Sequence, residues 1–255
     1  MPYKFTGLKD PPQYEHGLIS KYNNTVLDEL DGIRTLRLEG RACPKRGMDV
    51  INIKDSETDV LISSKFEPVK LTVIYLLEAR TELAVPELLQ TFLSVFRDHP
   101  GKLQFSDEGF YYESSLTAST VEGVGLTKRI SCEFTCLSPY AFKDVEIVGP
   151  VFNRRTYYPV VPDKIEMRAE GASDHLEIWN PRTRSRIRVN HQINAGDTII
   201  IEPLRNFGIH RGEQNLLPYL EPSSEFENLE MAFLDELHTT PAGSIRIWAK
   251  LKKLG

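Results

Sequence analysis

The sequence predicts a mainly β protein of two domains: a β-sandwich or β-barrel-like N-terminal domain with one α-helix, then a C-terminal β-sandwich. Three observations predict it. The 255 residues are long for one all-β domain and suit two of about 100–150 each. The first half is rich in runs that alternate apolar and polar residues, broken by a single stretch of helical period. The second half repeats short strand-like runs roughly ten to fifteen residues apart with glycines between them, the spacing of a β-sandwich. The domains are placed at residues 1–145 and 146–255.

Between Arg41 and Pro68 the pattern loosens. PKRG and KDSETD flank MDVINI, and VLISSKF follows. This reads as two strands joined by a polar turn at Asp55 to Asp59, a hairpin that leaves the body of the domain. VKLTVIYLLEA, with Leu71, Val73 and Tyr75 alternating with Thr72, Ile74 and Leu76, is a well-buried strand. PELLQTFLSVFRD is the strongest helix. Pro86 suits its first position, Leu89, Phe92, Leu93 and Phe96 make one apolar stripe, and His99-Pro100-Gly101 stops it. Short strands follow at LQF (103–105) and YYESSLTAS (111–119). In KRISCEFTCL, Ile130, Cys132, Phe134 and Cys136 alternate with Arg129, Ser131, Glu133 and Thr135, giving one buried and one wet face. Ser138-Pro139-Tyr140 ends that strand.

The second half opens near Val148-Gly149-Pro150. KIEMRA, HLEIWN, SRIRVN, DTIIIE and SIRIWAKL read as strands, separated by Gly171, Gly196 and Gly208 among other turn residues. FENLEMAFLDEL fits either a short helix or an edge strand. No internal repeat and no long linker is present in the sequence.

The net charge of -5 argues against a protein whose main task is gripping nucleic acid. No apolar run approaches a bilayer-spanning length, and the N-terminus, MPYKFTGLKD, lacks the apolar segment of a secretory signal. The expectation is synthesis in a cytoplasm, with no membrane partner. Three cysteines, Cys43, Cys132 and Cys136, do not make a disulfide framework. On one strand face Cys132 and Cys136 would stand about 13 Å apart at ~3.3 Å per residue, too far to bridge.

GxSxG, HExxH, GxxxxGK[ST] and a strand-turn-helix GxGxxG are absent from the sequence. The six histidines show no metal-ligand spacing, and His191 and His210 read as loop residues. No catalytic residue, metal or cofactor is expected. Asp107-Glu108 before Gly109 fits a tight turn better than an acid/base pair. Asp55, Glu57 and Asp59 alternate, but the glycine and terminal glutamate of a calcium loop are missing.

Arg182, Arg184, Arg186 and Arg188 have period two, which puts all four on one side of an extended segment. Such a row binds phosphate, pairs with acids of a neighbouring subunit, or simply pairs with nearby glutamates on a wet face. Trp179 and Trp248 on sandwich strands offer either core packing or a platform for a sugar ring.

The ordered series from VKLTVIYLLEA through PELLQTFLSVF and GKLQFSDEGFYYESSLTAS to RISCEFTCLSPYAF resembles the distal tail proteins of siphophages, the long-tailed, non-contractile phages. The matching residues are Leu103, Phe105, Asp107, Glu108, Tyr111, Tyr112, Phe134, Cys136, Pro139 and Tyr140. The match is clearest over residues 60–145; over 150–255 it rests on the sandwich pattern and the terminal strand.

The resemblance implies a structural role in the virion, at the distal end of the tail, after assembly in the bacterial host cytoplasm. It implies a homo-hexameric ring made by the N-terminal domains around the DNA channel, with a belt-like hairpin reaching a neighbour. It implies a galectin-like C-terminal β-sandwich domain that receives baseplate parts. The implied partners are further copies of the chain, the major tail tube protein, the tape-measure protein, and a tail-associated lysin, tail fibre or other baseplate protein. DNA would pass without specific binding. The belt candidates are Lys45, Arg46, Asp49, Asp55, Glu57 and Asp59, and the partner-contact candidates are Arg182, Arg184, Arg186 and Arg188. The competing reading is a carbohydrate-binding module that recognises the bacterial cell envelope, with Trp179 or Trp248 as its platform. A wall hydrolase would need a nucleophile or acid pair that the sequence does not offer.

Overall fold

A computed structural model describes residues 17–41, 44–51, 60–98, 100–204, 207–226 and 228–254. The described residues form two compact units that divide between Ala141 and Phe142. The fold is mainly β with one α-helix.

The first unit contains β1 (Ser20–Tyr22), β2 (Thr25–Val26), β3 (Ile33–Glu39), β4 (Arg46–Ile51), β5 (Val60–Phe66), β6 (Lys70–Glu78), α1 (Ala84–Ser94), β7 (Gly101–Phe105), β8 (Tyr111–Glu122) and β9 (Thr127–Cys136). The strands run antiparallel in the order β3-β6-β9-β8-β7-β1-β2. β1 and β3 stand near opposite ends of this order, yet Asp28 joins them. Its Oδ2 accepts from the Ser20 N–H at 2.9 Å and the Thr35 hydroxyl at 2.7 Å, and its Oδ1 from the Thr35 N–H at 2.6 Å. The sheet therefore curls on itself, with charge-assisted hydrogen bonds where no backbone ladder runs.

The alternation in β9 places Ile130, Cys132, Phe134 and Cys136 inside, and Leu71, Val73, Tyr75 and Leu77 of β6 join them. α1 closes this interior. Its apolar stripe, continued by the 3-10 turn Val95–Arg97, delivers Phe92 and Phe96. Tyr75 meets Phe92 at 4.9 Å, Phe92 meets Phe96 at 5.2 Å, and Phe96 meets Tyr22 at 4.9 Å and Phe134 at 5.3 Å between ring centroids. All four contacts are edge-on, the arrangement ring quadrupoles favour. The helix starts at Ala84, so Pro86 is its third residue rather than its first. Pro86 still lies in the first turn, where a missing N–H removes no helical bond. Gly101 lies against Tyr22: a Cβ there would sit 2.2 Å from the ring carbon Cζ.

The second unit contains β10 (Tyr140–Val148) from Phe142 on, β11 (Lys164–Ala169), β12 (Leu176–Trp179), β13 (Arg186–Val189), β14 (Thr198–Glu202), β15 (Gly208–Arg211), β16 (Gln214–Asn215), β17 (His238–Thr240) and β18 (Gly243–Leu254) up to Lys253. One sheet has the order β16-β15-β14-β11-β18-β10, the other β13-β12-β17. Ile165, Met167, Ile199, Ile201, Ile245 and Ile247 of the first are buried, as are Leu176, Ile178, Ile187 and Val189 of the second. One apolar face per sheet is the pattern of a sandwich.

The five expected strands of this half are present, with β10, β15, β16 and β17 beside them. His210 thus lies in a strand, not a loop. Residues 226–237 form neither the helix nor the edge strand that the sequence allowed. The described part is irregular, held by single bridges from Val160 to Met231 and from Val151 to Glu236.

Candidate functional site

Three surfaces contain most of the residues singled out in the sequence. The first is the β4–β5 hairpin. Its strands pair from Arg46 opposite Phe66 to Ile51 opposite Val60, and this ladder is a two-stranded sheet by itself. Lys45 and Arg46 are exposed, and the Arg46 guanidinium lies 5.2 Å from the centre of the Phe66 ring. Asp49 pairs with Ser63 along the ladder. Asp55, Glu57 and Asp59 lie outside the described residues, as does Cys43.

The second is the acidic turn between β7 and β8. Arg41, just past β3, is ion-paired to Asp107 and stands 3.6 Å from Glu108, with its guanidinium 4.7 Å above Phe105. Burial alone would lower the pKa of Arg41, but the hydrogen bond to Asp107 and the charges of Glu108 and Asp107 raise it overall. Burial, followed by the charge of Glu108, pushes Tyr112 well above the usual phenol range. Leu103, Phe105, Tyr111, Tyr112, Phe134 and Cys136 are all core side chains, so most of the recognised series is a packing motif. Cys132 and Cys136 are free, and burial pushes both thiols up to about 12.

The third is the outer face of β13-β12-β17. Here the structure corrects the arginine row: Arg182 is in a turn, Arg184 follows with φ +60°, and only Arg186 and Arg188 share a strand face. Period two held only where the chain is extended. Arg186 lies 3.5 Å from Glu177 and 3.2 Å from Glu221, and Arg188 is 3.4 Å from Glu221. Ser223 donates to Glu221 at 2.9 Å and accepts from Arg186 at 3.2 Å. Arg182 points elsewhere, to the buried Asp235 at 2.8 Å. That contact is not legible in the sequence, because 53 residues separate the partners. Trp179 is 38% exposed, and its ring lies 4.9 Å from that of His238. Trp248 is half-buried, with the Lys164 ammonium 4.4 Å from its ring centre.

Among the described residues no group of three or more His, Cys, Asp or Glu is placed to hold a metal ion. No helix among them is long and apolar enough to cross a membrane. A shallow polar groove on the other sheet is lined by Glu166, Arg168, Gly196, Thr198, Ser244 and Arg246.

Residues 158–234 match the siphovirus-type tail component, C-terminal domain. This falls in the half where the sequence resemblance is looser. No curated protein matches the chain at a significant level. The crystal structure of SPP1 Dit, described as a paradigm of the hub adsorption apparatus in phages infecting Gram-positive hosts, shares the fold with a TM-score of 0.76 at 16% identity, over 93% of this chain and 99% of that one. A chain of the phage P2 baseplate, activated with Ca, matches with a TM-score of 0.54 at 9% identity, over 92% of this chain and 98% of that one. The Sr-activated p2 baseplate gives 0.52 at 8% identity, over 91% and 97%. The chain is thus similar to siphophage distal tail proteins: in family signature across 158–234, and in fold along nearly its whole length. Its structural neighbours are phage tail and baseplate components.

Proposed function

We infer that this chain is a structural hub of a siphophage tail tip, present in the virion at the distal end of the tail and assembled in the bacterial host cytoplasm. Its activity is shape rather than bond-making. The observation that carries the reading is the fold shared with SPP1 Dit over 93% of the chain. Six copies close into a ring through heterologous contacts, residues 1–145 forming the ring and 146–255 a galectin-like outer domain. The ring joins the tail tube protein, with the tape-measure protein, to a tail-associated lysin, fibre or baseplate protein.

DNA passes through the bore unbound. Residues 1–144 carry 17 basic and 21 acidic side chains, a balance of -4 that suits a lining which must not grip phosphate. The β4–β5 hairpin is the belt, using Lys45, Arg46, Asp49, Asp55, Glu57 and Asp59. Its isolation in a ladder of its own suits a segment completed by another subunit. Arg182, Arg184, Arg186 and Arg188 are proposed as contacts to outer partners.

Excising residues 46–66 and closing the gap with a short Gly-Ser linker tests this. The variant should keep its cooperative unfolding and β-type circular dichroism, and lose rings in negative stain. Intact rings from the excised protein reject the belt.

A further inference from the structure

The outer face of the β13-β12-β17 sheet has features that a tail hub does not require. Its register places His238, Trp179 and Arg186 in one row across the three strands, and Thr240, Glu177 and Arg188 in the next. Trp179 stands at the centre of the first row, 38% exposed, with the His238 ring tilted against it at 4.9 Å between centroids. Beside it, Glu177, Arg186, Glu221 and Arg188 form a chain of ion pairs, and Ser223 and Asn190 hold the two guanidinium groups from the sides. Each of the four charged side chains is part-buried, so the network is pre-set before any ligand arrives. Two cations meet two anions, which leaves no charge surplus to attract a phosphate polymer. Glu177 Oε1 accepts only a long 3.5 Å hydrogen bond from Arg186, and Oε2 stands 3.9 Å from His175. Its side chain is 21% exposed, so part of its acceptor capacity is left for a group arriving from solvent.

A part-exposed indole beside a charge-balanced set of planar donors and acceptors fits a sugar ring. A pyranose ring offers an apolar C–H face to stack on the indole, and hydroxyls that both donate and accept. We propose that this sheet face is a binding site for a neutral hexopyranose unit of a glycan. Trp179 is the stacking platform, Glu177 the hydroxyl acceptor and Arg186 the hydroxyl donor. Trp248 takes no part, because it lies on the other sheet under Lys164. The site does not depend on ring formation.

Both tryptophans report separately in indole N–H NMR, which makes the full chain its own sensor. Titration with galactose, glucose, N-acetylglucosamine and rhamnose should move the Trp179 signal saturably for at least one sugar and leave Trp248 in place. Trp179→Ala and Glu177→Gln should each weaken that binding about tenfold or more, with unfolding temperatures near the parent's. Poly(glycerol phosphate) is the second arm. A response to it alone assigns the face to a polyanion and overturns the proposal. So does silence toward all four sugars, or sugar binding that survives Trp179→Ala.

Discussion

Asp235 is buried and still ionised, and its partners explain why. Burial pushes its pKa up. The Ala232 N–H at 2.7 Å, the Asn180 amide at 3.1 Å and the Arg182 guanidinium outweigh that and hold it below the usual carboxylate range. The same carboxylate fixes the turn that shows Phe233 and Leu234 to solvent, with Leu234 at φ +68°. Replacing it with alanine leaves these donors unmet and should cost about 2 kcal/mol of unfolding free energy in the second unit. The pH sign follows from the depressed pKa. The contribution is complete above the ordinary aspartate value of about 4 and is lost as pH falls below it. Calorimetry across acid pH should find Asp235→Asn less stable than the parent near neutrality, with the difference shrinking toward low pH. None of this was legible in the sequence, where Asp235 sits in an ambiguous acidic run. Trp179 was legible as a strand tryptophan, but its exposure is set by the neighbouring strand β17, whose HTT has too little apolar content to signal itself.

At the scale of elements, legibility followed burial pattern. β6 and β9 bury side chains with strict or near-strict alternation, and the sequence locates them within a residue or so. β10 buries only Ala141 and Ile147 among nine residues, too sparse a signal for period two. In 226–237 the buried apolar residues Phe226, Leu229, Met231 and Leu237 follow neither helical nor strand spacing, because single bridges and the Asp235 turn hold the segment. The closure of the first unit was also out of reach, since it depends on Asp28 meeting Ser20 and Thr35 across two strand ends. That closure is testable. Asp28→Ala removes three hydrogen bonds to a carboxylate, leaves the Thr35 and Ser20 N–H groups unmatched, and should destabilise the first unit by about 3 kcal/mol. Hydrogen exchange should then quicken first at β1 and β3, ahead of β6 and β9. Uniform quickening across the unit would mean that the seam is not a separate weak point.

A net charge of -5 keeps copies apart in dilute solution, so a ring must gain its stability from apolar contact. The first unit shows such side chains: Leu83 is 91% exposed just before α1, and Val124 is 92% exposed at the tip of the β8–β9 hairpin. The Ala79 N–H donates to the Leu126 carbonyl at 2.8 Å, which ties that hairpin to the chain leading into the helix. Neither side chain contributes to the core, so charging both should leave folding within about 0.5 kcal/mol of the parent. Buried between subunits, the same two charges would lack partners and oppose closure. The parent chain should therefore sediment as a ring at micromolar concentration, while Leu83→Asp with Val124→Asp sediments as a single folded subunit. Added salt should favour the parent ring by screening the repulsion between acidic copies. Sedimentation velocity with negative-stain imaging reads both outcomes. A parent that stays one subunit across the concentration and salt series removes the ring. A charged variant that still closes moves the interface away from this tip.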